Sequence, residues 1–290
     1  MFSLGITWYM FFAGVGSGLS FVVFVLDSFL GFFKPRLFKQ CRPLIAPGHM
    51  TGLALVALGA VFLFFDLGRA DRLLDLFLNP RLTVLVCGAW SLLLFVALVS
   101  GQLVLRLRIP EETPRPVHIA VRWAGAASAL AVMSYTGILL WDLHAVHFWN
   151  SFLLPVLFLL SSLSGGLALV MLLGFIRQDE GVPFKHMAVL TKAHLPLMLT
   201  ELLVLAAYLV LALQRSPVAA ASAKELLSGT YSLLFWGGVV LCGFAAPFVL
   251  GLLARRKLTE PVLAQYSLSL LAGALALRYC FLVVGAHPAM

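Results

Sequence analysis

The stretch SFLLPVLFLLSSLSGGLALVMLLGFI, residues 151–176, contains no charged side chain. A helix that crosses a bilayer needs about 20 consecutive, mostly apolar residues, and this stretch exceeds that length. Seven other stretches meet the same requirement, at about residues 6–33, 46–65, 82–105, 119–141, 187–213, 231–253 and 261–284. The sequence therefore predicts an all-α integral membrane protein with eight transmembrane helices.

Composition supports the same class of protein. Hydrophobic residues make up 62% of the chain and charged residues 11%, against about 45–50% and about 25% in a soluble domain. The formal net charge of +8 comes from residues in short loops between apolar runs, which excludes nucleic acid as a partner and leaves membrane lipid as the surroundings. Residues 1–7 lack Lys and Arg and precede a span-length run, so we expect no cleaved signal peptide.

The cysteines offer no metal-binding pattern. They stand at positions 41, 87, 242 and 280, so the C-x-x-C spacings of haem attachment and iron–sulfur ligation are absent. We therefore predict that this protein binds no metal, no haem and no iron–sulfur cluster. Haem ligation by His144 and His147 is the alternative, which their position in a short extramembrane turn disfavours.

Lys and Arg are distributed unevenly between the two sets of loops. The connections after spans one, three, five and seven hold 14 of them and those after spans two and six hold 5, while Arg278 lies inside span eight. Because cytoplasmic loops are enriched in Lys and Arg, the first set is predicted to be cytoplasmic. Both termini are then expected on the outer side.

Two runs of small residues occur inside predicted spans. Span one contains GVGSG, from Gly14 to Gly18, and span five contains SSLSGG, residues 161–166. Such glycines let a neighbouring helix or a flat ligand approach the backbone, and we favour helix packing over ligand clearance. The similarity of the two runs indicates two four-helix halves.

The stretch SYTGILLWDLHAVHFWN, residues 134–150, ends span four with polar and aromatic side chains. Tyr135 and Asp142 are seven residues apart, so they lie on one helix face about 10 Å from each other. A tyrosine hydroxyl at that depth needs a hydrogen-bond partner, and a quinone carbonyl would provide one. The plain alternative is that the tryptophans of this stretch belong to an interfacial aromatic belt.

Asp66 stands where span two leaves the hydrocarbon, on the same outer side as Asp142. Arg69 and Arg72 follow it closely. Asp66 is therefore either a proton carrier beside a redox ligand or one member of an ordinary salt-bridged helix end.

Ionisable residues also occur inside the spans. Glu201 is predicted near the bilayer middle, with His194 seven residues before it. Such groups usually face the bundle interior and often belong to a proton path. Asp27, near the inner end of span one, is a further candidate for this path, although a capping or snorkelling role fits its position more easily. A pair between Glu201 and His194, Lys192 or Arg278 that only locks helices together is the competing interpretation.

These motifs, taken in order, resemble the NrfD/PsrC type of membrane subunit of bacterial quinone-linked oxidoreductases, a family that includes polysulfide and formate-dependent nitrite reductases. The resemblance covers the whole sequence. It rests on TWYMFFAGVGSG at 7–18, FFDLGRADR at 64–72, SYTG at 134–137, FWNSFLLPVLFLLSSLSGG at 148–166 and LRYCFLVVGAH at 277–287.

The resemblance implies two four-helix bundles side by side, here residues 1–145 and 146–290, with menaquinone or ubiquinone bound in the first near the periplasmic face. It also implies a ferredoxin-like four-cluster iron–sulfur partner and a catalytic subunit, often a molybdopterin enzyme, at a bacterial cytoplasmic membrane. Tyr135 matches the family's quinone-contacting tyrosine. Tyr9 stands where some members have a histidine that contacts the quinone, and Gly14 and Gly18 are further candidates for the quinone-binding site.

The resulting hypothesis is quinol oxidation or quinone reduction, with Tyr135 and Tyr9 orienting the ring oxygens. Asp66 and Asp142 would exchange protons with the outer solvent, assisted by His144. Charge separation would require an inner path through Glu201, His194 and Asp27. Two other classes remain open: a proton-coupled transporter with helices broken at Pro196 and Pro247, and a purely structural membrane anchor.

Overall fold

The computed structural model confirms the all-α membrane fold. It describes residues 4–33, 35–67, 83–108, 116–177, 184–256 and 259–286. Within these ranges, eight helical segments are long and apolar enough to cross a membrane. Their positions agree with the eight stretches predicted from the sequence.

The helices have the following bounds in chain order: α1 Leu4–Phe33, α2 Pro35–Leu67, α3 Val84–Arg108, α4 Pro116–Trp141, α5 Leu153–Ile176, α6 Phe184–Arg215, α7 Pro217–Leu227, α8 Ser232–Leu234, π1 Phe235–Ala245, α9 Ala246–Arg256 and α10 Glu260–Ala286. Span seven consists of α8, π1 and α9 in direct succession. The π segment is wider than an α-helix because its hydrogen bonds reach five residues along the sequence.

Successive spans run in opposite directions. In α1 and α2, for example, Gly48 near the beginning of α2 lies against Val23 in the second half of α1. Gly59, further along α2, lies against the Tyr9 carbonyl near the beginning of α1. The beginning of α1 and the end of α10 therefore lie on one side, which we call the terminus face. We call the other side the basic face, because the helices that end there are joined by the connections richest in Lys and Arg.

The two small-residue runs face each other where α1 crosses α5. A Cβ on Gly18 would overlap the Ser162 carbonyl, and one on Gly166 would overlap the Gly18 backbone. Glycine is therefore required on both helices for this close approach. The preference for helix packing at these glycines is thus consistent with their surroundings.

Helices α1 and α5 hold the structure together. Helix α1 packs against α2, α4, α5 and α10, while α5 also packs against α4, α6 and α10. Helix α3 packs on α4, and α10 packs along π1 and α9. The division into bundles at residues 145 and 146 stays a prediction.

Hydrogen bonds attach the turn at residues 142–152 to helices in the second half of the protein. Trp149 is fully buried and donates from Nε1 to the Phe281 carbonyl at 2.8 Å. The hydroxyl of Tyr208 donates to the carbonyl of Phe148. Trp149 is therefore a core residue rather than an interfacial anchor, whereas Trp141 is 38% exposed and fits the aromatic-belt interpretation.

Candidate functional site

Tyr9 and Tyr135 come together beneath the terminus face. Tyr9 lies about 8 Å along α1 from its first residue, and Tyr135 about 9 Å along α4 from its last, at a rise of about 1.5 Å per residue. The two phenols interact electrostatically, and both residues are buried. Two tyrosines that are 126 positions apart in the sequence thus form one site.

The Tyr9 hydroxyl is the distinctive atom of this site. It is buried and close to the Tyr135 phenol, yet it makes no hydrogen bond of normal distance and angle with a described residue. A buried hydroxyl without a partner costs about 1–3 kcal/mol, so such groups usually have a ligand or water partner. A carbonyl oxygen placed between the two phenols would satisfy it.

Gly88 provides the space for the Tyr135 ring. It is the fifth residue of α3, and a Cβ at this position would overlap the ring. The packing of α3 on α4 therefore fixes the orientation of Tyr135. Sequence reasoning missed Gly88, because a single glycine in an apolar span carries no signal by itself.

The predicted outer proton carriers lie at the surface of the terminus face. Asp142 and His144 are exposed just after α4, and His144 Nδ1 lies 2.7 Å from the Asp142 carbonyl. Asp66 is half-buried, one residue before the end of α2. Arg69 and Arg72 lie outside the described residues, so the predicted cluster of two acids with these arginines stays a prediction.

Gly14 adjoins a buried arginine rather than the tyrosines. A Cβ on Gly14 would lie 2.7 Å from a terminal nitrogen of Arg278. Gly18, one turn further along α1, contacts α5 as described above. Direct contact of Gly14 and Gly18 with a ligand stays a prediction, and both have a packing role.

Arg278 is the most extensively bonded buried cation in the described part of the protein. It is 0% exposed and donates to the Met10 and Ala274 carbonyls and to the hydroxyls of Ser161 and Ser162. Its guanidinium lies 5.6 Å from the centre of the Phe158 ring. Arg278 thus joins α1, α5 and α10.

A series of polar contacts leads from Arg278 towards the basic face. Glu201 interacts with the charge of Arg278 and with the hydroxyls of Ser161 and Ser164. Ser164 Oγ lies 2.5 Å from His194 Nε2, and His194 Nδ1 lies 2.7 Å from the Tyr266 hydroxyl. Glu201 and His194, which were predicted together from their spacing, are therefore bridged by Ser164.

A cavity lies at the far end of this series. It is lined by Tyr266 together with Thr191, Lys192 and Pro247, and Lys192 is exposed. A second cavity lies beside Ser164 and Glu201. Sequence reasoning missed Ser164 and Tyr266 because serine and tyrosine are unremarkable residues in an apolar helix. Their significance depends on contacts between α5, α6 and α10.

Asp27 belongs to a different cluster. Its Oδ2 accepts from Arg106 Nη2 at 2.5 Å and from Arg122 Nε at 2.9 Å, and it is fully buried. These partners lie on α3 and α4, whereas those of His194 lie on α5 and α10. The observed contacts therefore do not join Asp27 to the series that contains Glu201 and His194.

The fold and these sites define the class of protein. It is a multi-pass helical membrane protein with buried polar clusters towards the terminus face and towards the basic face. Comparison with known proteins gives the family. Residues 1–287 match the family described as "Polysulphide reductase, NrfD". The protein therefore belongs to the NrfD family, which makes it a membrane subunit of an oxidoreductase complex.

Individual relatives agree over nearly the full length. Protein NrfD of Escherichia coli strain K12 is 27% identical over 297 residues, covering 96% of this protein and 92% of the relative. The C subunit of polysulfide reductase from Wolinella succinogenes is 25% identical over 298 residues, with the same coverage. A protein NrfD homolog of Haemophilus influenzae is 25% identical over 272 residues, covering 83% of this protein and 82% of the relative.

Proposed function

We propose that this protein is the quinone-interacting membrane subunit of a bacterial respiratory oxidoreductase. The observation that carries the proposal is the buried, unpartnered hydroxyl of Tyr9 beside Tyr135. A flat ring with two carbonyl oxygens fits a site that offers two phenol donors, one of them held in place by packing against Gly88. Quinone, when bound, supplies two-electron, two-proton redox chemistry.

Tyr9 and Tyr135 act in this proposal as hydrogen-bond donors that orient the ring. A phenol donates well to a carbonyl oxygen, but it titrates too far above neutral pH in water to carry protons as a histidine does. Proton exchange is therefore assigned to Asp66, Asp142 and His144 at the terminus face. Asp142 lies about 10 Å along the helix axis from Tyr135, so water between them would have to complete the transfer.

Electrons leave or enter through a partner in this proposal. The partner is a ferredoxin-like four-cluster iron–sulfur subunit that docks on the terminus face and serves a catalytic subunit, such as a molybdopterin enzyme. The short depth of Tyr9 and Tyr135 below this face favours docking there. The proposal places the terminus face on the periplasmic side of the bacterial cytoplasmic membrane, as the Lys and Arg distribution predicts.

The series from Glu201 through Ser164 and His194 to Tyr266 is proposed as an inner proton path. A neutral imidazole has one donor and one acceptor nitrogen, so His194 donates to one of its two neighbours and accepts from the other. Exchange of these roles moves a proton from one side of the ring to the other. Such a path would let the reaction separate charge across the membrane.

A proton-coupled transporter receives less support. That class is favoured by broken helices in paired positions. Helix α6 continues through Pro196, and only span seven departs from α-helical geometry among the described spans. A purely structural anchor leaves the unpartnered Tyr9 hydroxyl and the buried Glu201 without a role.

The test is quinol-dependent reduction of the co-purified iron–sulfur partner in native membranes. Tyr9→Phe and Tyr135→Phe are compared with Tyr231→Phe, a tyrosine outside the site, at matched abundance of the complex. Removing one donor leaves a buried quinone oxygen unpaired at a cost of about 1–3 kcal/mol, which predicts a rate about 5- to 150-fold lower in the two site variants and unchanged in the control. Equal rates in all three variants would contradict the proposal.

A further inference from the structure

Buried polar atoms without a protein partner concentrate in the first four spans. Within the described residues they belong to Tyr9, Ser20, Asp27, His49, Gln102 and His118, whereas the second half contributes only Ser267. Buried polar groups are nearly always hydrogen-bonded to protein or to ordered water. A concentration of this kind therefore points to bound solvent.

Some of these residues form a cluster near the basic face, and His49 is its central member. It is 0% exposed, and neither ring nitrogen has a hydrogen-bond partner among the described residues. Its ring centre lies 4.3 Å from that of Phe24, one helical turn before Asp27 on α1. The charges of Arg106 and Arg122 act on it. His49 therefore belongs to the same cluster as the Asp27 ion pairs.

The buried polar atoms of this cluster that lack a hydrogen-bond partner among the described residues indicate what the site would bind. Asp27 Oδ1 and Gln102 Oε1 are acceptors without a donor, and the imidazole needs one donor and one acceptor. An anion cannot donate to the two oxygens. A cation is disfavoured because Arg106 and Arg122 already compensate the single negative charge of Asp27. Water donates twice and accepts twice, so it fits the whole set.

Asp27 is poorly suited to exchanging protons. Its Oδ2 accepts from Arg106 and Arg122 and lies 3.5 Å from Gln102 Nε2. A proton on Oδ2 would displace the N–H donors of Arg106 and Arg122 and so break two charge-assisted bonds. His49 has no such bonds to lose, and because the charges of Arg106 and Arg122 act against a second positive charge nearby, it would exchange protons through its two neutral tautomers.

We propose that the first four spans enclose a bound-water site in the half that lies nearest the basic face. In this site His49, rather than Asp27, is the proton-exchanging group. Arg122, whose side chain is 21% exposed, is the group past which solvent would reach this site. The inference goes beyond the proposed function, because this cluster is separate from the path through Glu201, Ser164, His194 and Tyr266. The water site itself does not depend on quinone.

A contact between α1 and α2 limits the water site on the side that faces Tyr9. Gly16 and Gly52 pack so closely that a Cβ on Gly16 would lie 2.8 Å from the Gly52 carbonyl. This contact lies between His49 and Tyr9, and Ser20 is on the His49 side of it. On the side formed by α1 and α2, this tight contact therefore separates the water site from the tyrosines.

Radiolytic hydroxyl labelling of the full-length protein in lipid nanodiscs, with detection by mass spectrometry, tests the water. Bound water generates radicals in place, so a buried ring beside it is labelled and an equally buried dry ring is not. Phe24 is the reporter, and Phe95 and Phe281 are controls because all three are no more than 1% exposed. We expect Phe24 to be labelled at least about tenfold faster than either control.

Two variants refine this test. His49→Leu removes the polar ring and should reduce Phe24 labelling to the control level, whereas His49→Gln keeps a donor and an acceptor and should retain it. Thermal unfolding of both variants verifies that they fold. Labelling of Phe24 at the rate of Phe281 in the wild type would overturn the proposal.

Exchange of ring protons tests the role of His49. Nitrogen-15 NMR of the protein transferred to deuterated water follows the His49 ring, assigned by its loss in His49→Gln. The Trp149 indole, buried and bonded to Phe281, is the protected reference. We expect the His49 ring to exchange at least about a hundredfold faster than the indole, because solvent reaches it. Equal protection would refute the proton-exchanging role. Neither measurement uses quinone, so failure of the quinol assay leaves both results interpretable.

Discussion

Arg278 Nε donates to the carbonyl oxygen of Met10 across 3.1 Å, which bonds the last span directly to the residue beside Tyr9. The same guanidinium donates to Ser161 and Ser162 of α5 and interacts with the charge of Glu201. A single buried cation thus connects the candidate quinone site with the proposed inner proton path. The bond also fixes the height of α1 relative to α10.

Replacement of Arg278 by leucine should destabilise the protein strongly. The change removes the four hydrogen bonds of the buried guanidinium and the charge that acts on Glu201, and each buried polar group left unpaired costs about 1–3 kcal/mol. The midpoint of thermal unfolding in detergent measures the loss. The control is Arg278→Leu combined with Glu201→Gln, which replaces the carboxyl group that interacts with Arg278 by a neutral amide.

The double variant should recover part of the loss, because residues that interact show non-additive changes of about 0.5–3 kcal/mol. Strict additivity of the two single changes would mean that Arg278 and Glu201 do not interact energetically. In that case Arg278 would act only through its bonds to serine hydroxyls and backbone carbonyls.

Gly88→Ala should impair electron transfer without dissociating the complex. The added methyl group overlaps the Tyr135 ring, so the ring must move. A misplacement of about 1 Å at a reacting site costs about 100-fold in rate. Gly101→Ala on the same helix is the matched control, because its Cβ would meet nothing within 4 Å. Equal quinol-dependent rates in the two variants would show that the position of Tyr135 is unimportant.

The eight spans were predictable from sequence because the length of an apolar run is a local property. Glu201 and His194 were also found this way, since an ionisable residue inside a span is conspicuous by itself. Tyr135 was noticed from its spacing to Asp142, and Tyr9 was linked to it only through the family resemblance. Their contact depends on how α1 packs against α4.

Residues whose importance arises from packing escaped prediction. Ser164 matters because it lies between Glu201 and His194, and Gly88 matters because it faces a ring on another helix. Asp27, by contrast, was noticed in the sequence, but its partners were not. Its position near the end of α1 suggested capping, snorkelling or a proton path, but Arg106 and Arg122 lie far along the sequence and pair with it only in the folded bundle.

Trp149→Phe should destabilise the protein more than Trp141→Phe. Trp149 is fully buried and loses its bond to the Phe281 carbonyl, at a cost of about 1–3 kcal/mol. Trp141 is 38% exposed, and its replacement should change the free energy of unfolding by less than about 0.5 kcal/mol. Thermal unfolding of both variants in the same detergent makes the comparison. A larger effect at Trp141 would contradict the core assignment of Trp149.

Tyr9→Phe should have opposite effects on the free protein and on ligand binding. Without ligand, the change removes a buried hydroxyl that makes no hydrogen bond of normal distance and angle, so stability should stay constant or rise slightly. With a quinone analogue, the variant should lose most of the ligand-induced rise in unfolding temperature, because the donor is gone. A hydroxyl with a purely structural role would instead lower stability in the free protein. Unfolding curves with and without the analogue separate these outcomes.

Interruption of the series between Glu201 and Tyr266 should separate electron transfer from charge separation. Ser164→Ala removes the bridge between Glu201 and His194, whereas Thr200→Val changes an exposed hydroxyl on the same helix as His194 that bonds only to the Pro196 carbonyl. The complex in proteoliposomes is assayed for quinol-dependent electron transfer and for membrane potential.

We expect Ser164→Ala to lower the potential generated per electron by at least about twofold, since a proton path that lacks one member conducts poorly. Electron transfer should persist if protons can still leave through the terminus face, because Asp66, Asp142 and His144 are unchanged. Thr200→Val should resemble the wild type in both assays. A potential per electron that is equal in all three proteins would show that protons do not move along Glu201, Ser164 and His194. The close contacts of these residues would then serve only to hold α5, α6 and α10 together.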